Sequence, residues 1–191
     1  MKRLADQIAS WFIEQGLPEE QKEIYSYGLE CLANELLADI LLFLSALLLH
    51  KIPEMFIWCF SFTILRVNLG GLHASSHSRC IIYSTAIGIL SVQICPYFEK
   101  NLPIMVVFST LVCLIATFIA PVVHPNHPLS PKRKQSAHRF SCFISLAETF
   151  VLVILYFFSS KISSCIFLGL ASAGLLGGFG YLKNFPRDVT L

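Results

Sequence analysis

PIMVVFSTLVCLIATFIAPVV, from Pro103 to Val123, runs for 21 residues without a charged side chain. A helix of that length covers about 30 Å, the thickness of a bilayer's hydrocarbon core. The pattern recurs. Leu32–Leu49, Cys80–Phe98, Ser141–Phe158 and Ile162–Leu182 are each 18 to 21 residues long and predominantly apolar. A sixth run, Pro53–Leu65, has 13 residues and as a helix reaches only about 20 Å. It spans by continuing through Leu69, or it enters and leaves on one side.

The whole chain agrees with its parts. Of 191 residues, 55% are hydrophobic and 14% charged, against about 25% charged in globular domains. Mean hydropathy is +0.67. This excludes a disordered chain, a secreted disulfide scaffold and a basic nucleic-acid binder, so no nucleic-acid partner is expected. The seven cysteines are scattered without CxxC spacing, which argues against a disulfide framework or a four-cysteine zinc site. The reading is one all-α integral-membrane domain over 1–191, polytopic, with about six transmembrane helices. Residues 1–30 form an amphipathic N-terminal region and residues 32–182 the bundle.

In the N-terminal region Leu4, Ile8, Trp11 and Phe12 fall at i, i+4, i+7 and i+8, with Lys2, Arg3, Asp6 and Gln7 between them. That spacing predicts an amphipathic helix lying at the membrane interface. It does not read as a signal peptide, because charge breaks the apolar run and no small-residue cleavage site follows.

Charge gives the bundle a direction. With six crossings and the N-terminus inside, eleven of the fourteen Lys and Arg fall on the inner side and Lys51, Lys100 and Lys161 on the outer. If Pro53–Leu65 does not cross, the best split is nine against five. The positive-inside rule therefore favours six spans in a cell membrane, with both termini cytoplasmic. Loops 66–79 and 124–140 are cytoplasmic in either case.

One of those loops is richer than a connector needs to be. Arg66-Val-Asn-Leu-Gly-Gly-Leu-His73-Ala-Ser-Ser-His77-Ser-Arg79-Cys80 gathers two histidines, two arginines, three serines, a Gly-Gly pair and a cysteine. Polar clusters at a membrane edge point to function. Two chemistries fit. In the first, Cys80 is a thiolate nucleophile and a histidine its base. On a continuous helix His73 would sit two turns, roughly 10.5 Å, from Cys80, so this pairing needs the chain to bend between Ala74 and Ser78. His77, three residues before Cys80, is the simpler base on geometry alone. A helix starting near Cys80 would favour its ionised form. The Gly70 and Gly71 amides are candidates for an oxyanion hole or form a plain turn. Arg66 and Arg79 either hold a substrate carboxylate or set topology.

In the second chemistry, His73-x3-His77-x2-Cys80 holds a metal, with His124, His127 or His138 completing the set, as in a membrane metal-binding or transport protein. The metalloprotease pattern H-E-x-x-H is absent, because Ala74 stands in the Glu position. From spacing alone both readings stay open, as does a peptide exporter without proteolysis.

Other polar groups lie in the apolar runs: Asn34, Glu35 and Asp39 in the first and Glu148 in the fifth. Asp39, Glu148 or the nearby Asn68 could orient His73, or each could pair elsewhere. Lys132, Arg133, Lys134 and Arg139 make a basic cluster beside the membrane, which attracts anionic lipid or docks an acidic peptide tail. Its flanking prolines predict a stiff, non-helical loop. Gly169, Ala173 and Gly177 form a small-residue stripe for close helix approach, within the monomer or between copies.

Arg66, Gly70-Gly71, His73-Ala74 and Cys80 resemble the R-x3-G-G-x-H-A-x5-to-6-C signature of the AgrB family, membrane cysteine endopeptidases that process quorum-sensing peptide precursors. Chain length, the amphipathic start and the Pro- and basic-rich loop after the fourth span are also similar. The resemblance implies that His73 is the general base and Cys80 the nucleophile, that the enzyme needs no cofactor or metal, and that it forms a homodimer. The implied substrate is a short amphipathic propeptide at the inner leaflet. Its C-terminal tail is cut off and its remainder is closed into a thiolactone or lactone. His77 is not carried over by the motif and stays auxiliary.

Overall fold

The computed structural model describes residues 2–16, 18–71, 77–123 and 129–184. Among them are seven α-helices: α1 (Lys2–Glu14), α2 (Lys22–Leu48), α3 (Ile52–Leu69), α4 (His77–Phe98), α5 (Leu102–Ile119), α6 (Pro131–Tyr156) and α7 (Ser160–Asn184). Six are long and apolar enough to cross a membrane, α1 being the exception. The expected fold class is the observed one.

The N-terminal region 1–30 is not one unit. Gly16, at φ 102°, and Pro18 end α1, and a short 3-10 turn, Glu19–Gln21, leads into α2. Residues 22–30 therefore form the start of α2, the helix that carries the first apolar run. α1 packs on α2 through Ala5 and Ala9, which are buried, and through a hydrogen bond from Ser26 Oγ to Asp6 Oδ1. Leu4, Ile8 and Trp11 stay exposed, so the apolar stripe of α1 turns away from the bundle.

The doubtful second run is a full helix of 18 residues ending at Leu69. It outlasts its apolar stretch because its late polar side chains bond to its own backbone. Asn68 Nδ2 donates to the Ile64 carbonyl at 3.2 Å, and Arg66 Nη1 donates to the carbonyl of Gly70.

The fifth run starts ten residues earlier than Ser141, so Lys132, Arg133, Lys134 and Arg139 stand on helix α6 and not in a stiff loop. Here proline starts a helix and does not stiffen a loop. Pro131 occupies the first helical turn, where its missing N–H costs nothing, and Ser130 caps the end by accepting the Arg133 N–H at 3.4 Å. Conversely, α5 stops at Ile119, not Val123. Pro121 has no N–H, and Ala120 before it is extended at ψ 146°.

α7 is the central helix. Its span is 61% buried within the bundle, against 17–33% for the other five. Its small-residue stripe packs inside the chain. Gly169 faces Trp58 and Ser61 of α3, Gly177 faces Leu69, and Ala173 is fully buried. Trp58, Met55, Leu42, Met105, Leu152 and Phe167 fill the core between α2–α7.

The bundle has two polar ends. At one, Lys51 Nζ donates to the Val92 carbonyl at 3.1 Å, and Lys161 pairs with the buried Glu54 at 2.5 Å. At the other lie the end of α3, the start of α4, the end of α5 and the start of α6, which frame the polar loop.

Candidate functional site

α3 ends at a junction built by two glycines. Gly70 has φ 73° and ψ −156°, and Gly71 has φ 138°. The first lies in a region of backbone space open essentially to glycine alone. A Cβ on Gly70 would fall on the Val122 carbonyl oxygen, and one on Gly71 would stand 2.6 Å from the Leu176 carbonyl oxygen. Close approach fixes both residues. The Val122 N–H donates to the Leu69 carbonyl at 2.8 Å, making a single parallel bridge between Gly70 and Val122. The Gly70 N–H is committed to the Arg66 carbonyl at 3.0 Å. Of the two amides considered for an oxyanion hole, Gly70's is therefore already occupied.

Arg66 pins this junction. Its Nη1 donates to the Gly70 carbonyl, and the guanidinium packs where a Gly71 side chain would be. The same guanidinium lies within Coulombic reach of Cys80 and of Glu35 on α2. Sequence reasoning gave Arg66 a substrate or topology role and missed this bond. The signal was there, since Arg-x3-Gly places a cation one turn before a helix end, where it can bond the last carbonyls.

Cys80 stands in the first turn of α4 and is exposed. Unpaired N–H groups at a helix start favour negative charge there. The other thiols of α4 and α7, Cys95 and Cys165, are 2% and 1% exposed and sit at the opposite end beside Lys161. Arg79 is exposed next to Cys80. His77 opens the helix one turn before Cys80, while its side chain and the whole of His73 lie outside the described residues, as do His124 and His127. Among the described residues no three His, Cys, Asp or Glu side chains converge on a metal position.

Unlike Glu35, the acids Asp39 and Glu148 are engaged elsewhere. Glu148 Oε2 is 3.0 Å from Ser61 Oγ, and Asp39 Oδ1 is 3.9 Å from Cys59 Sγ. Ser61 and Cys59 precede Leu69 by eight and ten residues, which puts both acids roughly 12–15 Å below the end of α3. Asn34 is buried in α2.

On the α6 side of the same end, Lys132 and Lys134 line a cavity of about 620 Å³ with Ala120, Pro121, Gln135 and His138. Arg133 is exposed but does not line it.

No solved structure matches the chain. An AgrB-like protein of Clostridium perfringens strain SM101 is 31% identical over 142 residues, covering 70% of this chain and 64% of the relative. AgrB-like protein 2 of strain 13 is 29% identical over the same shares. The chain thus spans about 64% of the length of the curated relatives it matches. The family pattern Accessory gene regulator B matches residues 2–176, from the first helix through the polar loop to Leu176, against which Gly71 packs. By that match the chain belongs to the Accessory gene regulator B (AgrB) family.

Proposed function

We propose that this chain is a membrane-embedded cysteine endopeptidase of the accessory gene regulator system, with Cys80 as nucleophile and His73 as general base. The observation that carries the reading is the placement of Cys80: an exposed thiol in the first turn of a spanning helix, within Coulombic reach of the Arg66 guanidinium that pins the Gly70-Gly71 junction. The substrate in this reading is a short amphipathic propeptide at the inner leaflet, which membership in the accessory gene regulator family supports.

In this mechanism His73 takes the Cys80 proton as the sulfur attacks the scissile carbonyl. The oxyanion that forms is stabilised by the Gly71 amide, since Gly70's is spent on the helix end. The tail leaves as an amine carrying the proton from the imidazolium. A thioester on Cys80 remains. A Cys or Ser side chain of the precursor then attacks it, which closes a thiolactone or lactone ring and restores the Cys80 thiol. No cofactor enters any step. Lys132, Arg133 and Lys134 draw in an acidic tail, and the enzyme works as a homodimer in the cell membrane with the loop and both termini cytoplasmic.

The test is a precursor-cleavage assay on the membrane-inserted chain. Cys80→Ser and His73→Ala each abolish cleavage, and a strong chelator leaves it intact. Full cleavage by either variant removes the dyad. Loss in His77→Ala with His73→Ala silent transfers the base role to His77. Loss on chelation revives the metal site.

A further inference from the structure

Helices α5 and α6 hold a second cysteine–histidine pair, apart from the loop of Cys80. On α6, Cys142 Sγ lies 3.9 Å from Nε2 of His138, one turn back. The other ring nitrogen, Nδ1, is 3.0 Å from the Ala120 carbonyl oxygen. A carbonyl only accepts, so Nδ1 carries the proton in this contact. In a neutral imidazole Nε2 is then the lone-pair nitrogen, and it is the one turned to the thiol. The other neighbour of Cys142 is Thr117 Oγ1 at 4.0 Å, whose own proton goes to the Cys113 carbonyl at 2.8 Å. The basic nitrogen facing the thiol is thus fixed in tautomer and direction by a backbone acceptor, as a base beside a nucleophile must be.

The surroundings carry one sign of charge. His138 shares its cavity with Lys132 and Lys134. Arg139 follows it on α6, and Lys183 stands in the last turn of α7. α5 contains no charged residue. The acid of α6, Glu148, is bonded to Ser61 of α3, and Arg66 of α3 is bonded to Gly70. Cys142 does not itself line the cavity but sits behind His138, which does, so a ligand that approaches along this face passes the lysines and is selected for negative charge.

We propose that His138 and Cys142 form a nucleophilic thiol site that takes up small anionic disulfides. His138 Nε2 accepts the Cys142 proton as the sulfur attacks one sulfur of RS–SR. The Cys142–SR bond forms, and the old S–S bond breaks with its electron pair on the departing sulfur. That thiolate takes the proton from the imidazolium. One disulfide yields one mixed disulfide on Cys142 and one free thiol, so the protein thiol is oxidised and the small disulfide reduced.

The test uses the intact chain in lipid nanodiscs and two probes of opposite charge: 2-sulfonatoethyl methanethiosulfonate and 2-(trimethylammonium)ethyl methanethiosulfonate. Peptide mass mapping follows each cysteine, with Cys31, exposed on α2, as internal reference. Relative to Cys31, Cys142 reacts several-fold faster with the anionic probe. The Lys132→Gln, Lys134→Gln double variant erases that preference. His138→Asn keeps a nitrogen in place of Nδ1 to bond Ala120 and so keeps the fold, but it lacks the base. It slows Cys142 roughly tenfold or more at pH 7. An unreactive Cys142, an unchanged rate in His138→Asn, or equal rates with the two probes each overturns the proposal.

Discussion

Ser61 Oγ sits 3.0 Å from both Glu148 Oε2 and the Ile166 carbonyl oxygen, joining α3, α6 and α7 at one point deep in the bundle. The serine has one proton and the carbonyl can only accept, so the trio is complete when the Glu148 carboxyl is itself a donor. Glu148→Gln preserves a donor and an acceptor and keeps most of the stability. Glu148→Ala leaves Ser61 short of a partner and costs about 1–3 kcal/mol. Thermal unfolding of the two variants in detergent separates these outcomes.

The Gly70-Gly71 junction makes a sharper prediction. Ala at 70 meets a disallowed backbone conformation and the Val122 carbonyl, and Ala at 71 meets the Leu176 carbonyl. Each substitution costs upward of about 1–3 kcal/mol in backbone strain alone. Both lower folded yield and cleavage together, whereas Cys80→Ser removes cleavage with yield unchanged. Size-exclusion profiles beside the cleavage assay distinguish the two kinds of loss.

Arg66→Ala removes a charged donor from the Gly70 carbonyl and costs about 1.5–3 kcal/mol. Arg66→Lys keeps the charge but not the planar fork and falls between Ala and the parent. If Arg66 served substrate alone, Arg66→Ala would leave thermal stability unmoved and raise KM only.

Cysteine accessibility checks the placement of the site. A brief pulse of a membrane-impermeant maleimide labels Cys80 before the buried Cys95 and Cys165. In inside-out vesicles Cys80 labels directly, and in sealed cells it does not. Labelling of Cys80 from outside intact cells reverses the proposed orientation.

The spans were legible because hydropathy reports what lipid requires of every helix. Their boundaries were less so, because caps decide them. Ser130 and Pro131 start α6 ten residues before the apolar run begins, and Arg66 and Asn68 carry α3 past the end of its run by bonding to their own backbone. The cysteine and the glycine pair stood out by composition in an apolar chain. The partner of that pair did not. Val122 lies in a segment that reads as the tail of an apolar run, and no periodicity links it to Gly70 across fifty residues. Pairings between loops depend on how whole helices pack, which a local pattern does not encode. For the same reason His138 reads in the sequence only as a metal candidate and Cys142 as one of seven scattered cysteines, whereas in the fold the Ala120 carbonyl fixes the His138 imidazole beside the Cys142 thiol.

The Gly70–Val122 bridge also bears on how this scaffold can be re-engineered. Two connecting segments, distant in sequence, share one anchoring point, so they act as a single exchangeable part. Transplanting residues 66–80 from a relative while keeping the resident 117–123 segment would set new loop chemistry on a mismatched footing. A chimaera meant to change substrate choice has to move both segments at once.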